Sequence, residues 1–455
     1  MIKMPLAELT QLLGNPPMDS NNEFQGISID SRTLLPGNLF IAIKGEQFDG
    51  HDFAENAAKN GASAVVVDHP LDVSIPQIQV PDTLEALGKL SSHWRDRFTL
   101  PIIGVTGSNG KTTLKNMIAS ILRAACQNNV TQVLATEGNL NNNIGLPLNL
   151  LRLNDEHKYA VIEMGMNHFG EIAYLTHLTK PQVAVINNAA EAHLEGLHDI
   201  AGVARAKGEI FQGLQEQGVA ILNSDDAHFS YWHGLIGNHR CLSFGLKNTS
   251  DVTAIIKENQ LIELQTPKGK INVTLPLLGT HNVMNALAAT AATLALDIDL
   301  VAIKQGLEHV ASAPGRMQSY VLPHGTHIIN DTYNANPFSL QAAINTLAAF
   351  SGTKIMVLGD MKELGTNAEQ LHQTSGDKIR TAGIDYLFTL GNLSAHTTDA
   401  FGINAKHFTE YKELAAALQP HLTQDVTILI KGSRSMRMER ILTEIMPDTH
   451  LEQAH

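Results

Sequence analysis

The residues best placed to do chemistry lie in one run, Ile102-Ile103-Gly104-Val105-Thr106-Gly107-Ser108-Asn109-Gly110-Lys111-Thr112-Thr113. An apolar strand enters a glycine-rich turn that ends in Gly-Lys-Thr. A helical pattern follows, with Leu114, Met117, Ile118, Ile121 and Leu122 on one face. A turn of this build binds phosphate, because closely spaced backbone N–H groups and the positive end of the helix surround an anion. Lys111 brings a full charge to the β- and γ-phosphates of a nucleotide, and the Thr112 hydroxyl can hold Mg²⁺. Val105 stands where the common Gly-x-x-x-x-Gly-Lys-Ser/Thr pattern has its first glycine. Glycines fall instead at Gly104, Gly107 and Gly110.

Further candidates sit at the carboxyl ends of expected strands, the edge where open α/β sheets bind ligands. Glu163 ends Tyr159-Ala160-Val161-Ile162 and could complete a Mg²⁺ shell begun by Thr112 and phosphate oxygens. Read alone, it is also a solvated strand-end acid. His193 closes the run Asn187–His193 after another apolar strand, but it is one of 21 histidines. Lys207, in Ala204-Arg205-Ala206-Lys207-Gly208-Glu209, reads by itself as a surface lysine on an amphipathic helix. His281, Asn282 and Asn285 open a further helix, either as cap residues or as amides that bond a base or ribose. Arg316, after Pro314-Gly315, is a phosphate clamp or an interdomain ion pair. The polar strand end Asn330-Asp331-Thr332-Tyr333-Asn334-Ala335-Asn336-Pro337 would need no function as a plain Asx-rich turn.

Three α/β blocks are expected to position these groups. With 455 residues, the chain is long enough for about three domains. Residues 1–95 form a small unit with strands near 39–43 and 63–68. Its first residues, Met1 to Gly14, read as a short amphipathic helix. Residues 96–314 alternate apolar strands (101–106, 131–135, 159–163, 183–187, 218–222) with amphipathic helices, which predicts a mostly parallel sheet covered on both faces. Residues 252–275 break that rhythm as two strand-like segments joined at Pro267-Lys268-Gly269, and a helix over 281–296 restores it. Residues 315–455 repeat the alternation, with strands near 326–330, 354–358, 385–389 and 426–430.

Composition narrows the function classes. Hydrophobic residues make up 43% of the chain, enough for sizeable cores, and no apolar run reaches the ~18 residues a membrane helix needs. No export or targeting segment is expected. Two cysteines, Cys126 and Cys241, make no disulfide framework and fit a reducing cytoplasm. A formal charge of −13 argues against nonspecific nucleic-acid binding. Any anionic substrate must then be held by local cations, helix N-termini and metal.

Taken together, these motifs resemble the Mur ligase family of ATP-dependent amide ligases in peptidoglycan synthesis, over nearly the whole chain. The residues that carry the likeness begin with Asp30-Ser31-Arg32, Phe48-Asp49-Gly50-His51 and the loop Thr106–Thr113. Gly138-Asn139-Leu140-Asn141-Asn142-Asn143-Ile144-Gly145-Leu146-Pro147, Glu163–Asn167 and Ala204–Glu209 continue it. His281-Asn282, Gly315-Arg316, Asp331–Pro337 and Leu358-Gly359-Asp360-Met361-Lys362-Glu363-Leu364-Gly365 complete the set. The last two motifs look like the member that adds a dipeptide. The Asp-Asn-Pro-Arg-like motif of the diaminopimelate-adding sibling is absent.

The resemblance implies three domains: an N-terminal domain for the UDP end of the substrate, a P-loop ATPase-like central domain, and a Rossmann-like C-terminal domain for the incoming amine. It implies that D-alanyl-D-alanine is joined to UDP-N-acetylmuramoyl-tripeptide through an acyl phosphate, with ATP and two Mg²⁺. Carried over by motif, Gly107, Ser108, Asn109, Gly110, Lys111, Thr112 and Thr113 cradle the phosphates. Thr112 and Glu163 share one Mg²⁺, and His193 binds the second. Lys207 matches the lysine that this family carbamylates, which inverts its reading as a surface residue. Asn282 and Asn285 are implied at the adenine. Arg316, Asp331 and Tyr333 close the nucleotide site, and Asn143 faces the acyl phosphate. Ser31 and Arg32 lie near the uridine diphosphate. Asn139, Asn142, Asn334, Asn336, Ser433 and Arg434 are expected on the substrates. A monomer without membrane insertion is expected. The alternatives are a sibling that adds one amino acid, a folylpolyglutamate synthase-like ligase, or a nucleotide-gated binding protein with slow ATPase.

Overall fold

The computed structural model describes residues 1–18, 22–45, 47–191 and 194–446. Its centre is a six-stranded, all-parallel sheet in the order Arg240–Phe244, Val219–Asn223, Val183–Ile186, Ile102–Thr106, Tyr159–Glu163 and Val133–Ala135. The inner strands are apolar on both faces, as parallel strands covered by helices must be. The first of them in sequence, Ile102–Thr106, has its two successors on one side and Val183–Ile186 on the other. The connections therefore diverge at its carboxyl end and leave a crevice there.

Alternate residues of these strands enter two different cores. Ile103, Val105, Val161, Val183 and Val185 pack under the helices Lys111–Ala125 and Thr280–Leu294. Ile102, Ala160, Ile162, Ala184 and Ile186 face the opposite way. There they join Leu39, Ile41, Ala64 and Val66, of a four-stranded parallel sheet ordered Ile27–Ser28, Leu39–Ile41, Ala64–Val67, Gln77–Gln79. The helix Thr83–Arg95 lies between these layers. Trp94 Nε1 donates to the Leu153 carbonyl at 3.0 Å, and Arg95, 4% exposed, donates from Nε to the Thr179 carbonyl at 2.8 Å. One apolar core thus runs from the first residues into the central sheet.

The third sheet is ordered Gln318–Val321, His327–Asp331, Val426–Lys431, Thr353–Gly359, Tyr386–Leu390, Ala405–Phe408, parallel except for its first strand. It has its own core on each face, one around Ile355, Ile428 and Ile430, the other around Ile329, Met356 and Leu429.

Three expectations are corrected. The first residues do not begin a helix: Lys3–Pro5 is a strand paired with Glu23–Gln25, and the helix starts at Leu6. Ile2 and Met4 point inward with Lys3 exposed between them, a period of two, and Pro5, which a helix interior would not accept, stands just before the first helical residue. The segment 252–275 holds three antiparallel strands, Thr253–Ile256, Leu261–Thr266 and Gly269–Thr274. Its first turn sets Asn259 and Gln260 at φ 56° and 60°, the left-handed pair of a tight hairpin. The third sheet gains two edge strands, Gln318–Val321 and Ala405–Phe408, whose half-exposed residues carry no continuous apolar run. Among the described residues no helix is long and apolar enough to cross a membrane.

Candidate active site

A cavity of about 2320 Å³ opens over the carboxyl edge of the central sheet, and loops of the third sheet form its opposite wall. The strand register explains what converges there. Glu163 pairs with Val105, one residue before the phosphate loop leaves the sheet at Thr106, and Asn187 follows Ile186 on the next strand.

The loop Gly107–Gly110 needs its glycines. Gly110 has φ +78°, and a Cβ there would lie 2.6 Å from Asn285 Oδ1 and 2.8 Å from Asn187 Nδ2. Gly110→Ala is therefore expected to cost about 1–2 kcal/mol for the backbone alone and to displace the two amides. A thermal melt combined with an ADP titration checks it; wild-type ADP affinity would show that the loop does not seat the nucleotide.

Lys111 folds back over the loop, its Nζ donating to the Gly107 carbonyl at 2.7 Å. Burial pushes its pKa down, the neighbouring Glu163 pushes it up, and Arg316 adds to the depression. Ser108 is held by Asn188 and Ala190, through its N–H and its hydroxyl. Asn109 accepts at Oδ1 from Asn336 Nδ2 of the third-sheet wall at 2.9 Å, while its own Nδ2 is buried without a partner among the described residues. An orphaned donor in a glycine cradle beside a lysine suits an anion such as phosphate.

Glu163, 2% exposed, accepts from the Thr112 hydroxyl at 3.1 Å and from Asn141 Nδ2 at 2.8 Å. Arg316 Nη2 donates to the same Thr112 hydroxyl at 3.1 Å. A carboxylate and a hydroxyl side by side at a phosphate loop are hard oxygen donors of the kind Mg²⁺ takes. The residues present therefore fit a magnesium–nucleotide.

Lys207 is not a surface lysine. It lies on the helix Ile200–Gly208 and is 2% exposed. Among the described residues no hydrogen bond or ion pair meets its ammonium. Burial holds its pKa well below the usual lysine range, the Lys111 charge pushes the same way, and Asp226 opposes them. His193 lies outside the described residues.

Asn282 and Asn285, 4% and 3% exposed, form an amide ladder. Asn187 donates to Asn285 Oδ1 at 2.8 Å, Asn285 to Asn282 Oδ1 at 3.1 Å, and Asn282 to the Leu278 carbonyl at 2.8 Å. Both line the cavity, with Asn285 packed on Gly110. On the opposite wall Arg316 stacks 4.0 Å over the Tyr333 ring, and Arg434 lies 5.8 Å from it. Asp331 pairs with buried Lys431, which also donates to the Asn334 carbonyl at 3.0 Å. Asn336 caps the helix Pro337–Ala348. Ser433 accepts from the Lys362 N–H at 2.8 Å, which stitches two of the loops together.

Thr113, Asn139, Asn142 and Asn143 also line the cavity. Ser31 and Arg32 do not; Ser31 is buried, and Arg32 forks onto Asp30 at the surface. Sequence reasoning passed over Asn141 as a site residue, although it stands inside the Gly138–Pro147 motif. It also passed over Asp226 and Lys431, which lie at strand ends like the residues it chose.

Three family models match: "Mur ligase family, catalytic domain" over residues 23–95, "Mur ligase middle domain" over 105–293, and "Mur ligase, glutamate ligase domain" over 315–434. The UDP-N-acetylmuramoyl-tripeptide–D-alanyl-D-alanine ligase of Escherichia coli (strain K12) is 42% identical, covering 97% of this chain and 98% of its own. A crystal structure of MurF from Acinetobacter baumannii is 36% identical with a TM-score of 0.91, over 98% of this chain and 100% of that one. MurF ligase from Thermotoga maritima, solved in complex with ADP, is 28% identical with a TM-score of 0.83, over 92% of this chain and 97% of that one.

Proposed function

The chain belongs to the Mur ligase family, and from that premise we propose that it joins D-alanyl-D-alanine to UDP-N-acetylmuramoyl-tripeptide at the expense of ATP. The observation that carries this reading is one cavity in which a glycine loop with Lys111 and Thr112 faces the third-sheet residues Arg316, Asp331 and Asn336. The 42% identity to a ligase named for that reaction supports the choice of substrates.

The tripeptide carboxylate attacks the γ-phosphate of ATP, giving ADP and an acyl phosphate. The dipeptide amine then attacks the acyl carbon, loses a proton, and phosphate leaves. Carboxylate and phosphate repel each other, so the site must supply positive charge where they meet. Lys111 and Arg316 do so from opposite walls, and Tyr333 holds the Arg316 guanidinium in place by stacking. The loop N–H groups, with Ser108, Asn109 and Thr113, hold the β- and γ-phosphates. Asn139, Asn142 and Asn143 face the carboxylate being activated. Asn282 and Asn285 set the adenine side of the loop. Asn334, Asn336, Ser433 and Arg434 serve the acceptor, and Asp331 fixes Lys431 there. Ser31 and Arg32 hold the uridine diphosphate end.

Thr112 and Glu163 would hold one Mg²⁺, and His193 with a carbamylated Lys207 a second; the ions supply charge neutralisation on the phosphates. The parts divide as residues 1–95 for the UDP end, 96–314 for ATP and 315–455 for the dipeptide. The reading is of a cytoplasmic enzyme, acting as a monomer in cell-wall synthesis and through it in cell shape and division. The free thiols Cys126 and Cys241 agree with a reducing compartment.

Phosphate release tests the reading. It is expected to require ATP, UDP-muramoyl-tripeptide and D-alanyl-D-alanine together. Equal turnover with D-alanine or diaminopimelate would assign a sibling ligase, and turnover without any amine would remove the ligase activity altogether.

A further inference from the structure

The phosphate helix carries a second lysine that the reaction above leaves unused. Lys115 lies one turn beyond Thr112 and is only 4% exposed. A buried ammonium is costly unless polar partners receive it. Here Nζ donates to the Thr136 carbonyl at 2.7 Å.

Thr136 is itself a junction. Its N–H donates to the Val161 carbonyl at 3.0 Å, and its hydroxyl accepts the Glu163 N–H at 2.9 Å. The chain then leaves as the loop Glu137–Asn143, which returns Asn141 to the Glu163 carboxylate at 2.8 Å. The far side of that loop is pinned by Asn149, fully buried, which accepts from the Glu137 N–H and donates to the Leu140 carbonyl. Three elements therefore meet at Thr136: the phosphate helix through Lys115, the strand of Glu163 through its N–H, and the asparagine loop through the chain itself.

We propose that Lys115 is a positioning residue for the magnesium site: by clamping Thr136 it sets the Glu163 carboxylate and the asparagine loop against Thr112. This rests on the reading of Thr112 and Glu163 as Mg²⁺ ligands. The clamp acts on the ligand set rather than on the loop N–H groups, so it should matter for nucleotide binding only when the metal is present. Lys115→Met keeps the length and burial of the side chain but leaves the Thr136 carbonyl unpaired. Thr136→Val keeps the shape and removes the hydroxyl that orients Glu163.

The test is calorimetric titration of the full-length protein with ADP, in excess Mg²⁺ and in EDTA, beside a thermal melt. In Mg²⁺ each variant is expected to bind ADP about tenfold or more weaker than wild type, the usual loss when a residue behind a metal ligand is removed. In EDTA each is expected to match wild type. Wild-type affinity in Mg²⁺ for either folded variant overturns the proposal. An equal loss with and without metal overturns it too, because that marks general damage to the phosphate loop. If Lys115→Met melts before the titration, Lys115→Gln, a neutral and shorter side chain that reaches the Thr136 carbonyl less well, takes its place in the same titration, and the same outcomes decide. If wild type gains nothing from Mg²⁺, the metal assignment of Thr112 and Glu163 falls, and the role of Lys115 with it.

Discussion

Replacing Lys111 with alanine is expected to lower kcat by about 10²–10³, the loss seen when one preorganised group is withdrawn from developing transition-state charge. The fold should survive, because among the described residues Lys111 Nζ donates only to the Gly107 carbonyl, and the side chain is not part of the apolar core under its helix. The effect should be large because the ammonium acts inside a cavity between Glu163 and Arg316, where charges are poorly screened. Steady-state phosphate release by the purified variant, with circular dichroism as the control for folding, measures it. A variant that keeps more than about a tenth of wild-type kcat lies far above that range and would remove Lys111 from the reaction.

Lys207→Ala should also be damaging, for a different reason. A bare ammonium beside a metal repels it, whereas a carbamate reverses the sign of the side chain. Carbamate forms when a neutral amine attacks CO₂ and releases a proton. Burial and the Lys111 charge favour that neutral amine at Lys207. The variant is expected to lose about 10–100-fold in rate, as removal of support from a metal shell does. Acetate or formate should restore part of the activity by standing in for the lost carboxylate, and degassed wild type should recover on adding bicarbonate. Near-wild-type turnover of Lys207→Ala, with a high-resolution map showing an unmodified side chain, would sink the assignment.

Much of this site was legible from residue order alone. Gly107 to Thr113 had to follow an apolar strand and open a helix, and they do. Glu163 had to end a neighbouring strand, and the register puts it beside Thr112. What escaped the sequence was long-range or lacked a periodic signal. Lys207 read as a surface residue because a helix pattern does not reveal what covers its polar face. The amide ladder from Asn187 to Leu278 spans 98 residues between Asn187 and Asn285 and has no local trace. The hairpin at Asn259-Gln260 was hidden because neither residue is glycine, and the edge strands Gln318–Val321 and Ala405–Phe408 because half-exposed strands need no apolar run.

The shared core between the N-terminal sheet and the central sheet has a consequence for how the chain holds together under stress. Ile41 and Val66 belong to the same apolar cluster as Ile162 and Ile186, whereas the clusters on both faces of the third sheet are separate from it. Cooperativity follows buried apolar contact, not the division of labour among ligands. The N-terminal sheet and the central sheet are thus one unit of stability. The third sheet is a second unit, joined to the first at the cavity by hydrogen bonds such as Asn336–Asn109 and Arg316–Thr112. Severing the chain near residue 95 would expose the inside of a core, while severing it near residue 315 would leave each core whole, with Leu278 and the two hydrogen bonds named above bridging the junction.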